Sequence, residues 1–426
     1  MTPRSLRTAL ALTAALSLTA VACGSDDQAP PADAGGERGG ATDVSVPADG
    51  EPTPGGPPTY GVEAETDGWN PATSQWAISG HLIGMAIFDP LAAYDEDGVA
   101  QPYLAESFSV DDTGQVWTLK VRPDVTFHDG SPCDADAIVK ALESLRSSIL
   151  TNGALAPIDS ITALDPSTVE IRTSIPWFAF PATLTTQVGY VAAPAQLDAT
   201  GDASVTQPIG TGPFVFDEWE PDDHLTVVKN TGYWREGLPY LDEVTFQPIT
   251  DPTTRVNALI AGDIDVVHVV SQGSIADLQV AASRGDVQLL IDPAEQEEYF
   301  LMPNQSKLPF SDERARLAVA HAIDRQEFIE TFGEGIVELA DGPFTPGSKW
   351  HVPTDPPAFD PEEAKRLVAE YEADNGPLTF TIGATSDPAT RSAMQAIEED
   401  LAAVGIEANV EFTEQALREL AKLDGA

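Results

Sequence analysis

The sequence predicts an α/β fold built as two lobes. Two strand–helix–strand patterns carry that expectation, one over residues 244–270 and one over 378–412. In each, a strand pattern is followed by a helix that Asp-Pro starts and Gly stops, and a second strand pattern returns. Units of this kind make parallel sheets with a covering helix, and two of them roughly 140 residues apart fit two sheets better than one. The length of 426 residues leaves room for two or three domains.

Taken in order, folding signals begin near Thr59. Residues 59–64 read as a short strand, followed by the turn Asp67-Gly68-Trp69-Asn70-Pro71. Residues 116–121 alternate, with Trp117, Leu119 and Val121 on one side and Val116, Thr118 and Lys120 on the other. Asp134 is placed to cap a helix with the apolar stripe Ile138, Val139, Leu142 and Leu145. Residues 244–249 form the next strand, Asp251-Pro252 opens a helix, Gly262 closes it, and 264–270 read as the return strand. In the last unit 378–384 is a strand, Met394, Ile397, Leu401 and Val404 keep helical spacing, and Ile406, Ala408, Val410 and Phe412 alternate. Residues 414–423 read as a further helix. The chain is expected to stop inside it, leaving the second lobe C-terminally incomplete.

The first residues set an address. Arg4 and Arg7 precede an uncharged run from 9 to 22, the length of a signal-peptide core. It ends Ala20-Val21-Ala22-Cys23-Gly24-Ser25, which resembles the lipobox of bacterial lipoproteins, although Ala20 stands where Leu is commonest. The expectation is cleavage after residue 22, lipidation of Cys23, and a protein held by lipid alone on the extracytoplasmic face of a bacterial membrane. Residues 24–57 are rich in Gly and Pro and contain no aromatic residue, the composition of a disordered tether with a reach of roughly 30 Å. The only other cysteine, Cys133, is expected to be free and buried.

Asp and Glu number 68 against 22 Lys and Arg, a formal charge of −46. That excludes nucleic acid as a partner, since phosphate binding needs clustered cations. Enzyme motifs are missing as well: no His is followed by Glu, Gly is never followed by Lys, and no G-x-S-x-G occurs. The six His residues, at 81, 128, 224, 268, 321 and 351, show no metal-ligand spacing. His321, one turn after Leu317, reads as a satisfied core residue and His128 as a loop residue. No cofactor and no metal are expected.

Several motifs carry a family resemblance. They are Leu104-Ala105-Glu106-Ser107-Phe108, Trp117-Thr118-Leu119-Lys120-Val121-Arg122, Phe127-His128-Asp129-Gly130-Ser131-Pro132, Gly210-Thr211-Gly212-Pro213-Phe214, Tyr233-Trp234, Ala261-Gly262-Asp263-Ile264-Asp265 and Phe359-Asp360-Pro361-Glu362-Glu363-Ala364. In this order and spacing they resemble the family 5 extracellular solute-binding proteins, which serve peptide and nickel ABC transporters. Cys133-Asp134-Ala135-Asp136 departs from the family's usual apolar-Thr-Ala-acid run.

The resemblance implies a class II periplasmic-binding-protein-like fold whose two hinged lobes close on a solute. It places lobe I at 58–79 and 188–270, an inserted subdomain at 80–187, and lobe II at 271–426, after a leader at 1–22 and a tether at 23–57. It implies capture of a small solute, most simply an oligopeptide, and delivery to the transmembrane subunits of an ABC permease by a monomer. By alignment of motifs it nominates Ser74, Gln75, Trp76, His268, Gln296, Glu298, Tyr299, Thr385 and Ser386 as solute contacts. Gly210, Gly212 and Pro213 are read as shaping the backbone at the lobe junction. Three nominations have rival readings: Trp76 also suits a core with Ile78 and Ile83, His268 sits in an apolar run, and Glu298 lies in an acidic run with Glu295 and Glu297. Two other functional classes stay open at this point, a secreted α/β hydrolase and an interaction lipoprotein that has lost its ligand site.

Overall fold

The computed structural model describes residues 52–95, 97–291, 300–333, 339–344, 351–385 and 388–413. Cys23, the leader, nearly all of the tether, Gln296, Glu298, Tyr299, Ser386 and the expected helix at 414–423 lie outside them.

In chain order the strands are β1 (Thr59–Val62), β2 (Ala92–Tyr94), β3 (Ala100–Pro102), β4 (Ala105–Val110), β5 (Val116–Val121), β6 (Ile158–Asp165), β7 (Thr168–Thr173), β8 (Phe214–Glu220) and β9 (His224–Lys229). After them come β10 (Glu243–Pro248), β11 (Val266–Val267), β12 (Thr379–Thr385) and β13 (Glu407–Thr413). The first sheet has the order β11-β1-β10-β9-β8. Strand β1 lies between β10 and β11 and is parallel to both, whereas β9 pairs antiparallel with β10 and β8 antiparallel with β9. The helix Pro252–Ala261 makes the crossover from β10 to β11. Asp251 caps it by accepting from the Thr254 amide at 2.7 Å, and Gly262 ends it in the left-handed conformation at φ 79°.

Two strands are shorter than the sequence pattern suggests. β1 ends at Val62 instead of reaching Ala64, because the Glu63 and Ala64 amides donate to Ser79 Oγ, at 3.1 and 3.2 Å, and not to a neighbouring strand. β11 pairs only Val266 and Val267, with Tyr60 and Gly61, since β1 offers no ladder beyond that point.

Strands β4-β5-β7-β6 form an antiparallel sheet, and β2-β3 a separate hairpin. The alternation at 116–121 holds, with Trp117, Leu119 and Val121 buried. These residues share a core with Ile138, Leu142 and Leu145 of the helix Ala135–Ser147, whose N-cap Asp134 accepts from the Ala137 amide at 3.0 Å. Cys133 is free and 3% exposed, and burial pushes its thiol pKa well up, so it behaves as a small apolar residue.

The last unit is as expected: β12 and β13 pair in parallel, joined by the helix Pro388–Ala403. Ile397, Leu401, Val404 and Ile406 pack with Leu367, Val368 and Tyr371 of the helix Pro361–Asn375. Ala315, Ala318 and Ala322, all fully buried, give the helix Glu313–Ala322 a small-residue face in the same core.

The first sheet and the β4–β7 sheet meet where residues 210–212 cross the end of the helix Ile78–Ile87. A Cβ on Gly210 would lie 2.0 Å from the Ile87 carbonyl oxygen, and one on Gly212 would lie 2.6 Å from the Ile87 carbonyl carbon. His128 Nε2 also meets the Gly212 carbonyl at 3.1 Å, so this histidine joins the crossing to its loop. At the same junction Asp89 is 1% exposed. Its Oδ2 accepts from Thr211 Oγ1 at 2.9 Å and Trp234 Nε1 at 2.8 Å, and its Oδ1 accepts from the Tyr233 hydroxyl at 3.0 Å. Burial pushes the Asp89 pKa up to about 6, against the opposing pull of the hydrogen bonds from Trp234, Thr211 and Tyr233.

A carboxyl whose folded pKa is raised stabilises the fold below its unfolded value, and that contribution is lost as pH rises through the folded value. Relative to Asp89→Asn, wild-type stability is therefore expected to fall by up to roughly 3 kcal/mol between pH 4 and pH 7, read from denaturant unfolding of both proteins across that range.

Candidate functional site

Strands β1, β10 and β11 are parallel, so their carboxyl ends, at Val62, Pro248 and Val267, lie along one edge of the sheet. Open α/β sheets place ligands at that edge, near the point where strand order reverses. Here the edge carries the loop 63–77 and the exit segment that begins at His268.

The loop is built as a rigid element. Thr66 Oγ1 donates to the Gln75 carbonyl at 3.0 Å, the Gln75 amide donates to Asp67 Oδ1 at 3.0 Å, and the Asn70 amide donates to Ser74 Oγ at 3.2 Å. From outside the loop, Gln187 Nε2 donates to the Pro71 and Ser74 carbonyls, each at 2.8 Å. Gln196 Nε2 donates to the Trp69 carbonyl at 3.1 Å. Two side-chain amides thus hold a turn whose own backbone bonds would not fix it.

The nominated residues separate by exposure. Ser74 is buried and works inside the loop, while Gln75 is half-buried at its surface. Trp76 is 7% exposed, its Nε1 donates to the Gly68 carbonyl at 2.9 Å, and its ring stacks among Trp69, Phe88 and Tyr190. A Cβ on Gly84 would come within 2.6 Å of this ring, so the helix Ile78–Ile87 accepts Trp76 only because Gly80 and Gly84 leave a groove. The structure thus puts Trp76 in the core reading of its two alternatives. His81 meets it edge-on at 5.9 Å, and burial lowers the pKa of this imidazole. Thr385 occupies the carboxyl end of β12, in register with Thr413.

His268 is brought to a residue that the sequence motifs did not nominate. Its Nδ1 lies 3.0 Å from Glu63 Oε1, at the start of the loop, 205 residues away in sequence. Arg255 lies behind this pair. It is 3% exposed, donates from Nη1 to the Ile249 carbonyl, and brings Nη2 to 3.9 Å from Glu63 Oε1. Glu65 also escaped the sequence reading: it accepts from Trp219 Nε1 at 2.8 Å and from the Asp222 amide at 2.9 Å, binding the loop to β8 and its turn. The one available signal was their place in the sequence, Glu63 inside the predicted strand 59–64 and Glu65 directly after it.

Other features are structural. A shallow depression of about 470 Å³ beside the helix Ala135–Ser147 is lined by Pro132, Asp134 and Lys140, but Asp134 is the helix cap and Lys140 is paired with Asp198. His321 Nδ1 meets the Ala358 carbonyl at 2.7 Å and is half-buried, less enclosed than a core residue. Among the described residues no group of three or more His, Cys, Asp or Glu is arranged to hold a metal ion, and no helix is long and apolar enough to cross a membrane.

This mixed α/β chain matches solved structures of the periplasmic binding protein type. Residues 99–425 match the family described as bacterial extracellular solute-binding proteins, family 5 Middle, and the chain belongs to that family. Among curated relatives, a glutathione-binding protein GsiB of Pectobacterium atrosepticum is 28% identical over 333 residues, covering 77% of this chain and 64% of the relative. The GsiB of Escherichia coli K12 is likewise 28% identical with the same coverage. The chain thus spans just under two thirds of these relatives' length.

Among solved structures, the binding protein AgaA of A. tumefaciens R10, in complex with agropinic acid, superposes with a TM-score of 0.74 at 27% identity, covering 87% of this chain and 75% of that one. DppA of Helicobacter pylori, in complex with the peptide STSA, gives 0.71 at 24% identity, covering 86% and 75%, and supports the fold alone.

With Trp76 packed in the core, Trp76→Ala is expected to destabilise the full chain by about 3–5 kcal/mol, measured by denaturant unfolding. A solute contact that packs on nothing would cost far less.

Proposed function

We propose that this chain is the solute-capturing component of an ABC importer. It takes a small solute, an oligopeptide or a peptide-like molecule, at the carboxyl edge of the β1–β10–β11 sheet and delivers it to the permease subunits. The observation that supports this best is the site itself: a loop fixed by Gln187 and Gln196 at the edge where α/β sheets receive ligands, in a chain of the family 5 type. Relatives named for glutathione make a peptide-like solute the first class to test.

In this proposal Gln75 and His268 contact solute from lobe I, with Ser74 and Trp76 shaping the wall behind them. Gln296, Glu298, Tyr299, Thr385 and Ser386 complete the contact set. The division into lobe I, an inserted subdomain at 80–187 and lobe II from 271 belongs to the same proposal. So do a monomeric state and a lipid anchor at Cys23 on the extracytoplasmic face. No chemical conversion of the solute is proposed.

Isothermal titration of the full chain against glutathione, trialanine, agropinic acid and a nickel–histidine complex is expected to give at least one micromolar affinity. Absence of binding by folded protein, together with unchanged uptake on gene deletion, would overturn the proposal. For the anchor, Cys23→Ala is expected to move the protein from the membrane fraction to the soluble fraction, detected by fractionation and immunoblot. Unchanged membrane retention would reject lipidation at this residue.

A further inference from the structure

Asp89 is a buried acid that the solute edge does not use, and hydrogen bonds connect it to the surface. Its Oδ1 accepts from the Tyr233 hydroxyl at 3.0 Å, that hydroxyl lies 3.1 Å from the Tyr103 hydroxyl, and Arg235 Nη1 donates to Tyr103 at 2.9 Å. Asp89 is fully buried, the two tyrosines are half-buried and Arg235 is exposed. Four side chains thus run in single file from the junction of the two sheets to solvent.

The two ends set the direction of this file. A guanidinium only donates and an ionised carboxylate only accepts. Each hydroxyl between them has one proton, so Tyr103 donates to Tyr233 and Tyr233 donates to Asp89. When Asp89 takes up a proton that order fails. Its Oδ2 faces Trp234 Nε1, which only donates, at 2.8 Å, and the buried Thr211 hydroxyl at 2.9 Å, whose own proton would lose its acceptor. The added proton therefore sits on Oδ1 and points at Tyr233. Tyr233 turns its proton to Tyr103, and Tyr103 turns its own to water. In balance, water gives one proton to Tyr103 and Asp89 gains one, with one O–H bond broken and one made at each hydroxyl.

Other titratable groups surround the acid. Burial, and after it Asp89 itself, pushes the Cys133 thiol well up, and burial likewise pushes the Tyr233 hydroxyl up. His128, bonded to Gly210 and Gly212 on either side of Thr211, is held by burial below the usual imidazole value. Arg122 lies 4.5 Å from the centroid of the Trp234 ring and donates to the Tyr103 and Ala105 carbonyls. Arg235 favours the ionised form of Asp89 from a distance. With burial pushing Asp89 up to about 6, the change of direction falls near neutral pH.

We infer that Tyr233 and Tyr103 form a proton-coupled switch in the clasp between the two sheets, their hydroxyls pointing inward when Asp89 is ionised and outward when it is protonated. Tyr103 is a positioning residue at the outer end of the switch. The switch does not depend on which solute the chain captures.

Infrared difference spectroscopy of the full chain between pH 5 and pH 8 reads it. A buried carboxylic acid has a C=O stretch that its ionised form lacks, and loss of the band in Asp89→Asn assigns it. In wild type the band is expected to disappear with a midpoint near pH 6. Tyr103→Phe is expected to lower that midpoint by about 0.4–1 pH unit, the size of one net hydrogen bond, because in the protonated state the Tyr233 proton loses its acceptor. Arg235→Gln is expected to raise the midpoint, since it removes a charge that favours the carboxylate. A tyrosine that only packs would leave the midpoint in place. Thermal unfolding confirms that each variant is folded, and Arg235→Gln, at an exposed position, keeps the test decisive should Tyr103→Phe not fold. An unchanged or raised midpoint in Tyr103→Phe overturns the switch. So does an unchanged midpoint in Arg235→Gln, or the absence of an Asp89 band in wild type at pH 5.

Discussion

A carboxylate removed from water must find donors, and Asp89 finds three of them on two separate stretches of chain. Thr211 belongs to the segment returning to the first sheet, and Tyr233 and Trp234 belong to the connection between β9 and β10. Asp89 itself follows the helix whose last carbonyl is overlain by Gly210 and Gly212. The position of the β4–β7 sheet relative to the first sheet thus depends on one buried acid and on two residues without side chains beside it. Tyr103, whose hydroxyl lies 3.1 Å from that of Tyr233, extends the network to the start of β4, and Arg235 donates to Tyr103 from the surface. The carboxyl edge of the first sheet is tied to this junction, since Phe88, next to Asp89, stacks against Trp76 beside the loop 63–77.

The acidic excess turns out to have local employment. Asp134, Asp251, Asp312, Asp324 and Asp360 each cap a helix with the side chain. Capping satisfies amides that the first turn leaves open, and a negative charge there also suits the helix dipole. Glu63 and Glu65 tie a loop together, and Asp89 holds the junction. A net charge read as a bulk property therefore contains residues with separate duties, none of which requires a cationic partner macromolecule.

Much of the fold was legible because its signals are local. Asp251-Pro252 and Gly262 are a start and a stop within one helix, and the alternation of 116–121 needs only knowledge of a single strand. What could not be read depends on contacts between distant segments. The early end of β1 is decided by Ser79 Oγ, which takes two amides that a strand pattern would assign to a ladder. The partnership of Glu63 with His268 leaves no trace in the spacing of either residue. Nothing in the run Phe88-Asp89-Pro90 marks Asp89 as the acceptor for donors from Thr211, Tyr233 and Trp234. Trp76 was legible as an aromatic of either kind, and the groove of Gly80 and Gly84 that receives it is visible only once those glycines share a helix face.

The placement of β1 has a consequence for how the chain assembles. Its neighbours β10 and β11 are made long after it: the Thr59 amide donates to Asp265, 206 residues further on. The β4–β7 sheet, by contrast, is antiparallel, and each of its strands lies close in sequence to a partner. During synthesis from the N-terminus, β4–β7 can form while β1 still waits, and long-range parallel pairing is the slow step. An early strand without its ladder is an open edge, and β1 is only four residues long with glycine as its third. Its brevity limits the time-dependent hazard that a longer, stickier strand would present to other chains.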